Sequence, residues 1–309
     1  REPGENFSTV FGRTLVRMAH QDKRVCAITA AMTGGTGLER FAQTFPDRFF
    51  DVGIAEGCAA SMAAGMAKQG AIPVFAVYST FMQRSYDMLL HDVAIENLHV
   101  VLCVDRAGLV GDDGETHHGL FDVAYLDTIP NMTVLSPSSF AELEVMLERA
   151  LFRLHGPGAV RYPRGGEGRY VGTSGDGPAA ILRWGGDITL VSYGTEVNDV
   201  LEAAELLEVQ GIQAEIVKLN QLTPLVPELV ELSVRKTGVL LVAEEQAARG
   251  SVGQRLAACL EVAGLPAKMV LVSCGEGFVP HGAAALLKRD LSLDGAGLAK
   301  KALEVLGRG

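Results

Sequence analysis

The sequence predicts an α/β protein of two consecutive parallel-sheet domains, and three observations carry that expectation. Short runs of aliphatic and β-branched residues alternate with amphipathic segments of helical length, the pattern of a parallel sheet covered on both faces. The alternation breaks once, between Pro163 and Pro178, in the Gly-rich polar stretch RGGEGRYVGTSGDG. The chain has 309 residues and is 48% hydrophobic, enough for two cores. A first domain is therefore assigned to 1–163, a linker to 164–180 and a second domain to 181–309.

The elements follow in order. Phe7 to His20 places Phe7, Val10, Phe11, Leu15 and Met18 on one side of a helix, with Ser8 as a nearby capping candidate. Val25 to Thr29 reads as a buried strand, and the cluster Thr33-Gly34-Gly35-Thr36-Gly37 as a turn into a helix at Leu38 to Gln43. That cluster has neither the lysine of a phosphate-binding loop nor the spacing of a dinucleotide fingerprint. Then comes FFDVGIAEGCAASMAAGMAK, 49–68, in which Phe49, Val52 and Ile54 form a short apolar run and small residues dominate from Ala55 onward. Glu56 thus falls at a strand-to-helix junction, where unpaired backbone N–H groups and the helix dipole already account for a carboxylate. Ala59, Ala60, Ala63, Ala64 and Gly65 keep the helix thin, so another backbone or a flat ring can approach it.

Ile72 to Tyr78 reads as a strand, Phe81 to Ile95 as one helix and Val100 to Val104 as a strand. A polar loop, DRAGLVGDDGETHHG, occupies 105–119. A helix at Leu120 to Leu126, a strand at Met132 to Leu135, a helix at Phe140 to Leu154 and a strand at Ala159 to Tyr162 complete the first series. In the second, strands at Ile188 to Ser192, Ala214 to Leu219, Val239 to Ala243 and Lys268 to Val272 alternate with helices. These are read at Glu196 to Val209, Val226 to Arg235, Val252 to Val262 and near the C-terminus. The two halves show no internal sequence repeat.

Composition removes several classes of function. A net charge of −10 without a basic run argues against nucleic acid or an anionic membrane surface as a partner, so a bound anion must meet local arginines. Cys26, Cys58, Cys103, Cys259 and Cys274 are odd in number and lack a C-x-x-C pair, so they are expected to be buried thiols in a reducing cytoplasm. No apolar run reaches spanning length and no signal pattern is present, so a cytoplasmic location is expected. The chain opens on Arg1 rather than Met, and REPGEN reads as exposed linker, so a segment is expected upstream.

Ligands of parallel α/β sheets collect beyond the carboxyl ends of the strands. Those ends deliver Tyr78, Phe81 and Arg84, then Asp105, Arg106, Asp113, His117 and His118, then Arg161 and Arg164. With Glu56, four strand ends converge on one rim. Each residue also has a plain explanation. Phe81 fits a core, Arg84 a solvated helix face paired with Asp87, and Asp112 and Asp113 a turn. His117 and His118 point different ways and have no partner at helical spacing for a metal.

The blocks DVGIAE, YSTFMQRSYDMLLHDVAI, DRAGLVGDDGETHHG and RYPRG, in this order, resemble the pyrimidine-binding domain of the 1-deoxy-D-xylulose-5-phosphate synthase family, thiamine diphosphate enzymes of the transketolase superfamily. LVSYGTE, LTPL, EEQAARGSVG and GFVPHG resemble its C-terminal domain, so nearly the whole chain is covered. Transketolase and the β subunit of pyruvate dehydrogenase share this architecture, but YSTF, DRAG and RYPRG resemble the synthase more closely.

The resemblance implies condensation of pyruvate with D-glyceraldehyde 3-phosphate to 1-deoxy-D-xylulose 5-phosphate and CO₂, a step toward isoprenoids, thiamine and pyridoxal. Implied with it are thiamine diphosphate, Mg²⁺ and a homodimer. Glu56 would hydrogen-bond the far ring nitrogen of the aminopyrimidine, its pKa raised by small apolar surroundings. Phe81 would stack on that ring, with Ile54 beside it. Arg106 and Arg164 would grip the acceptor phosphate, helped by the Tyr78 hydroxyl. Arg84, Asp113 and His117 would line the substrate channel, His117 as proton shuttle and His118 behind it.

Two departures stand out. Gly57-Cys58 replaces the family's Gln-His after the glutamate. The Gly-Asp-Gly motif and Asn that hold the diphosphate and Mg²⁺ belong to a preceding domain. Gly175-Asp176-Gly177 and Asn198 imitate them but lie in the linker and a helix with no strand before them, so no metal site is assigned. The chain is accordingly expected to carry the pyrimidine half of a site and to be inactive alone. It would need an N-terminal diphosphate-binding domain or subunit as partner. The alternatives are the C-terminal subunit of a split transketolase and a non-catalytic dimerisation module.

Overall fold

The computed structural model describes residues 4–308, so Arg1 to Pro3 of the expected upstream linker lie outside the described residues. The first half runs α1 (Phe7–Gln21), β1 (Val25–Thr29), α2 (Glu39–Thr44), β2 (Phe49–Asp51), α3 (Glu56–Lys68), β3 (Ile72–Tyr78), α4 (Ser79–Met82), α5 (Tyr86–Met88), β4 (Val101–Asp105), α6 (Asp122–Asp127), β5 (Thr133–Leu135), α7 (Phe140–Phe152) and β6 (Gly158–Arg161). The second runs β7 (Ala179–Arg183), β8 (Ile188–Tyr193), α8 (Val197–Val209), β9 (Ala214–Leu219), β10 (Gln221–Thr223), α9 (Glu228–Thr237), β11 (Val239–Ala243), α10 (Val252–Val262), β12 (Lys268–Val272), α11 (Ala284–Asp290) and α12 (Gly295–Leu306).

The seven-stranded sheet has the order β10-β5-β6-β4-β3-β1-β2, and the five-stranded sheet the order β12-β11-β8-β9-β7. Both are parallel-stranded as expected, apart from one antiparallel edge in each. β10 runs against β5, and β7 against β9. β10 reaches across from the second half to finish the first sheet, and β7 starts at Ala179, inside the stretch expected to be linker. β10 is only three residues long, and β7, though as long as β1 and β4, is half-buried throughout where those central strands are buried.

One face of the large sheet is covered by α1 and α7, through Phe7, Phe11, Leu143, Leu147 and the ring of Tyr162. The other face meets α3 and the segment after β3, through Ala59, Ala63, Met82, Leu89 and Val93, and this cluster continues into Val191, Tyr193, Val217 and Leu256 of the second half. A shared apolar core therefore fixes the second half against the rim of the first.

Three local expectations change. The cap of α1 is Asn6, whose side chain accepts from Thr9 N–H at 3.0 Å, while Ser8 donates to Asp105 at 2.7 Å. The single helix expected from Phe81 to Ile95 is instead α4, a 3₁₀ turn at Gln83–Ser85, α5 and a π turn at Leu89–Ala94. Apolar periodicity survives such changes of winding, so the pattern alone does not reveal them. Of the cysteines, Cys26, Cys103 and Cys274 are buried as expected, but Cys58 lies on the exposed side of α3 and Cys259 is half-buried.

The segment between the halves is pinned by a buried ion pair. Glu142 of α7 meets Lys218 of β9 at 2.9 Å, and neither side chain is more than 1% exposed. The same carboxylate accepts from the Tyr170 hydroxyl at 2.8 Å, from Ser174 Oγ at 2.9 Å and from Ser138 N–H at 2.8 Å.

Candidate active site

Glu56 opens α3, only 3% exposed. The small apolar surroundings expected for it are interrupted by a cation: Arg84 Nη1 donates to Glu56 Oε1 at 2.9 Å. The cause lies in the 3₁₀ turn and in Gly57. The turn carries Arg84 toward α3, and a Cβ at Gly57 would collide with the methyl of Met88, so the missing side chain lets that segment settle onto the first turn of α3. Arg84 therefore pairs with Glu56 and not with Asp87. Its side chain stays 54% exposed, and its guanidinium lies 5.2 Å from the centre of the Phe81 ring.

Phe81 is half-buried, not core. It contacts Tyr78 in a stacked arrangement at 6.2 Å and His117 edge-on at 5.3 Å. Phe81 and Arg84 form one side of a cleft of about 640 Å³ that Thr116, Phe121 and Phe278 help to close. Ile54, between β2 and α3, is 81% exposed and touches none of this.

The arginines approach from different elements. Arg106 follows β4 in left-handed backbone, φ +59°. Its Nη1 donates to Asp105 at 2.9 Å and to the Gly35 carbonyl at 2.5 Å, its guanidinium lies 4.0 Å over the Tyr78 ring, and its buried Nε has no protein partner. Asp105 is fully buried. Burial pushes its pKa up to about 6 even though Arg106 and Ser8 stabilise its charge. Gly35 has a role beyond turning the chain, because a Cβ there would occupy the place of the Tyr78 hydroxyl. Arg164 pairs with Asp113 at 2.9 Å and donates to the Val110 carbonyl at 3.2 Å. Burial raises the Tyr78 pKa, and Arg106, Asp105, Asp113 and Arg164 all act on it.

His117 Nδ1 lies 2.9 Å from Thr116 Oγ1, and its ring faces Phe81 and Tyr78. His118 turns the other way. Its Nδ1 accepts from Val110 N–H at 3.1 Å and its Nε2 lies 3.2 Å from the Pro280 carbonyl, a pair that fits a neutral ring with the proton on Nε2. Arg161, expected at the rim, is buried at the junction of the halves. It pairs with Asp122 at 2.8 Å, and that carboxylate also accepts from Gln246 at 2.9 Å.

The Gly-Asp-Gly imitation is engaged elsewhere, Asp176 with Arg153 at 2.6 Å and Asn198 with Tyr170 N–H at 2.8 Å. Among the described residues no group of three His, Cys, Asp or Glu side chains could hold a metal ion. A buried carboxylate beside a half-buried aromatic ring that lines the cleft suits a flat nitrogen heterocycle, so these side chains fit the pyrimidine end of thiamine diphosphate. Sequence reasoning placed Asp105 at a strand end and Ser8 near a helix cap without giving either a role at the site, and it gave none to Gly35, Phe278 and Gln246. Asp105, Phe278 and Gln246 carried a signal, as members of the DRAG, GFVPHG and EEQAARGSVG blocks.

Residues 5–166 match the transketolase pyrimidine-binding domain family and residues 177–298 the transketolase C-terminal domain family. Relatives named 1-deoxy-D-xylulose-5-phosphate synthase include those of Heliobacterium modesticaldum, 43% identical over 307 residues, and Thermomicrobium roseum, 44% identical over 308 residues. Each covers 97% of this chain, which spans about half of their length, 47% and 48%. Among solved structures, a split-gene transketolase described as an inactive beta4 tetramer aligns with a TM-score of 0.86 and 27% identity, over 98% of this chain and 99% of that one. A transketolase of Pichia stipitis aligns with a TM-score of 0.78 and 16% identity, over 99% of this chain and 46% of that one, a likeness of fold alone.

Proposed function

The chain belongs to the transketolase family, and from that premise we propose that it is the pyrimidine-binding half of a 1-deoxy-D-xylulose-5-phosphate synthase. In this reading the complete enzyme condenses pyruvate with D-glyceraldehyde 3-phosphate and releases CO₂. The observation that carries it is the grouping of Glu56, Tyr78, Phe81, Arg84, Arg106 and His117 at the carboxyl ends of β2, β3 and β4. A purely structural module has no physical need for these groups on one rim.

When bound, thiamine diphosphate supplies the nucleophilic carbon and the electron sink for decarboxylation. Glu56, which meets Arg84 through Oε1, holds the proton at the far pyrimidine nitrogen. Phe81 and Ile54 bear on the ring. Arg106, Arg164 and the Tyr78 hydroxyl bind the acceptor phosphate. Asp113 orients Arg164, and His117 moves a proton at the acceptor carbonyl oxygen.

The diphosphate and Mg²⁺ are held by an N-terminal domain or subunit, and the chain pairs with a second copy across the small-residue helix α3. Neither nucleic acid nor a membrane is a partner in this reading; among the described residues no helix is long and apolar enough to cross a membrane. Titration of this chain alone with thiamine diphosphate and Mg²⁺ is expected to show weak binding or none, and micromolar affinity would contradict the half-site reading.

A second reading, one subunit of a split transketolase, is favoured by the 27% identical split-gene neighbour that matches end to end. One experiment separates the two. The chain is combined with the N-terminal half of a synthase relative, thiamine diphosphate and Mg²⁺, and offered either pyruvate or a ketose phosphate as donor, each with glyceraldehyde 3-phosphate. Release of CO₂ with formation of 1-deoxy-D-xylulose 5-phosphate supports the synthase. Two-carbon transfer from the ketose supports the transketolase, and no turnover with either leaves a dimerisation module.

A further inference from the structure

We infer that Glu245 and Lys288, both in the second half, form a positioning pair for the 105–119 loop that carries Arg106, Asp113 and His117. Glu245 is the second residue after β11, and its Oε2 accepts from Leu109 N–H at 2.8 Å. Gly108, φ +84°, brings the loop so close that a Cβ there would lie 2.7 Å from the same oxygen. The other oxygen, Oε1, is held by Lys288 Nζ at 2.9 Å. Lys288 comes from α11 and also meets Asp199 at 2.7 Å and Glu196 at 2.8 Å.

The four side chains are largely buried and line neither the cleft nor the rim. Burial carries the pKa of Glu196 and of Asp199 up. Burial also opposes the charge of Glu245, but Lys288 and the Leu109 amide together hold it below the ordinary glutamate value. Of the three carboxylates around the lysine, the one whose charge is favoured is the one that grips the loop. Packed apolar residues would stabilise such a junction as well or better, so stability alone does not account for an ionic strut. Delivering a charged acceptor to the amide of a bent loop does account for it.

Further contacts bring the loop onto the same half. Gln246 Nε2 donates to the Gly119 carbonyl at 3.1 Å, Ala247 N–H to the Leu120 carbonyl at 2.9 Å, and His118 reaches Pro280. The second half thereby sets where Arg106, Asp113 and His117 stand.

Amide hydrogen–deuterium exchange on the full chain tests this without reference to activity. In Glu245→Gln a single oxygen must serve either Leu109 or Lys288, so exchange at Leu109 is expected to quicken roughly ten- to a hundredfold while amides of β8 and β11 stay unchanged. Lys288→Met alone would leave three largely buried carboxylates without their cation, so the second arm is the variant that neutralises the whole cluster, Glu196→Gln/Asp199→Asn/Glu245→Gln/Lys288→Met, in which no charge is stranded. It is expected to fold and to show the same local acceleration. Wild-type exchange at Leu109 in both variants overturns the inference, as does acceleration spread evenly over the second half.

The consequence for the site rests on the synthase reading. In the reconstituted enzyme both variants should raise KM for the phosphorylated acceptor several-fold and leave KM for pyruvate unchanged, and an equal rise in both overturns the positioning role. If the wild-type pair shows no turnover at all, the functional reading falls, and exchange at Leu109 still decides the inference.

Discussion

Asp105 makes the stability of this protein fall as pH rises through the mildly acidic range, opposite to what a salt-bridged carboxylate does. Its ordinary value is 3.8, and burial in the folded chain moves it to about 6. Below pH 3.8 the group is protonated whether folded or not and contributes no pH dependence. Between about pH 4 and 6 the unfolded chain releases a proton that the folded chain keeps, so rising pH favours unfolding; above 6 the loss is complete. A gap of about 2 pH units corresponds to about 3 kcal/mol, an order-of-magnitude figure because Arg106 and Ser8 offset part of the desolvation. Asp105→Asn keeps the shape and an acceptor oxygen but cannot ionise. Urea denaturation of both proteins at intervals from pH 4 to 7.5 isolates the contribution as a difference. Relative to the variant, the wild type should lose about 3 kcal/mol across that range, whatever the offset between them. A pH-independent difference, or one that grows in favour of the wild type, would refute the reasoning and mean that the Arg106 pairing outweighs burial.

Three other outcomes follow from the geometry. Glu56→Gln in the reconstituted enzyme should lower turnover about a hundredfold to ten-thousandfold, and proton exchange at the thiazolium carbon before substrate is added reports the same step; wild-type exchange would return Glu56 to helix capping. Arg106→Ala should raise KM for glyceraldehyde 3-phosphate more than for pyruvate, measured by initial rates with each substrate varied in turn. Lys218→Met strands the buried Glu142 carboxylate and should cost about 3–5 kcal/mol, with faster protease cleavage over 165–178; an unchanged denaturation midpoint would show that Tyr170, Ser138 and Ser174 suffice to hold that charge.

Central strands were legible in the sequence because burial on both faces makes them continuous apolar runs bounded by polar turns. β1, β3, β9 and β11 keep the ends read from the sequence, as does the mostly exposed edge strand β12, whereas β7 and β10 went unseen. An antiparallel edge of three to five residues has no periodicity of its own and exists only because a partner lies beside it. The rim residues were legible as strand-end positions, which topology alone determines. Their partners were not. Arg84 meets Glu56 because a 3₁₀ turn and a glycine bring two segments together, and Arg161 turns to Asp122 because the second half covers it. Side-chain pairing across 28 or 39 residues leaves no trace in local pattern.

The crossing of β10 into the first sheet has a consequence for how the chain comes together during synthesis. Residues 4–166 can form six strands, but the outer edge of β5 stays open until Gln221–Thr223 has been made, with β8 and β9 already emerged. An open edge pairs with whatever strand is near, including that of another nascent chain. Cutting the gene at the Gly-rich stretch after Pro163 would therefore yield a first domain with a bare β5 edge, prone to self-association. The unit that closes on itself extends at least to Thr223, so the boundary in sequence and the boundary in folding lie some distance apart.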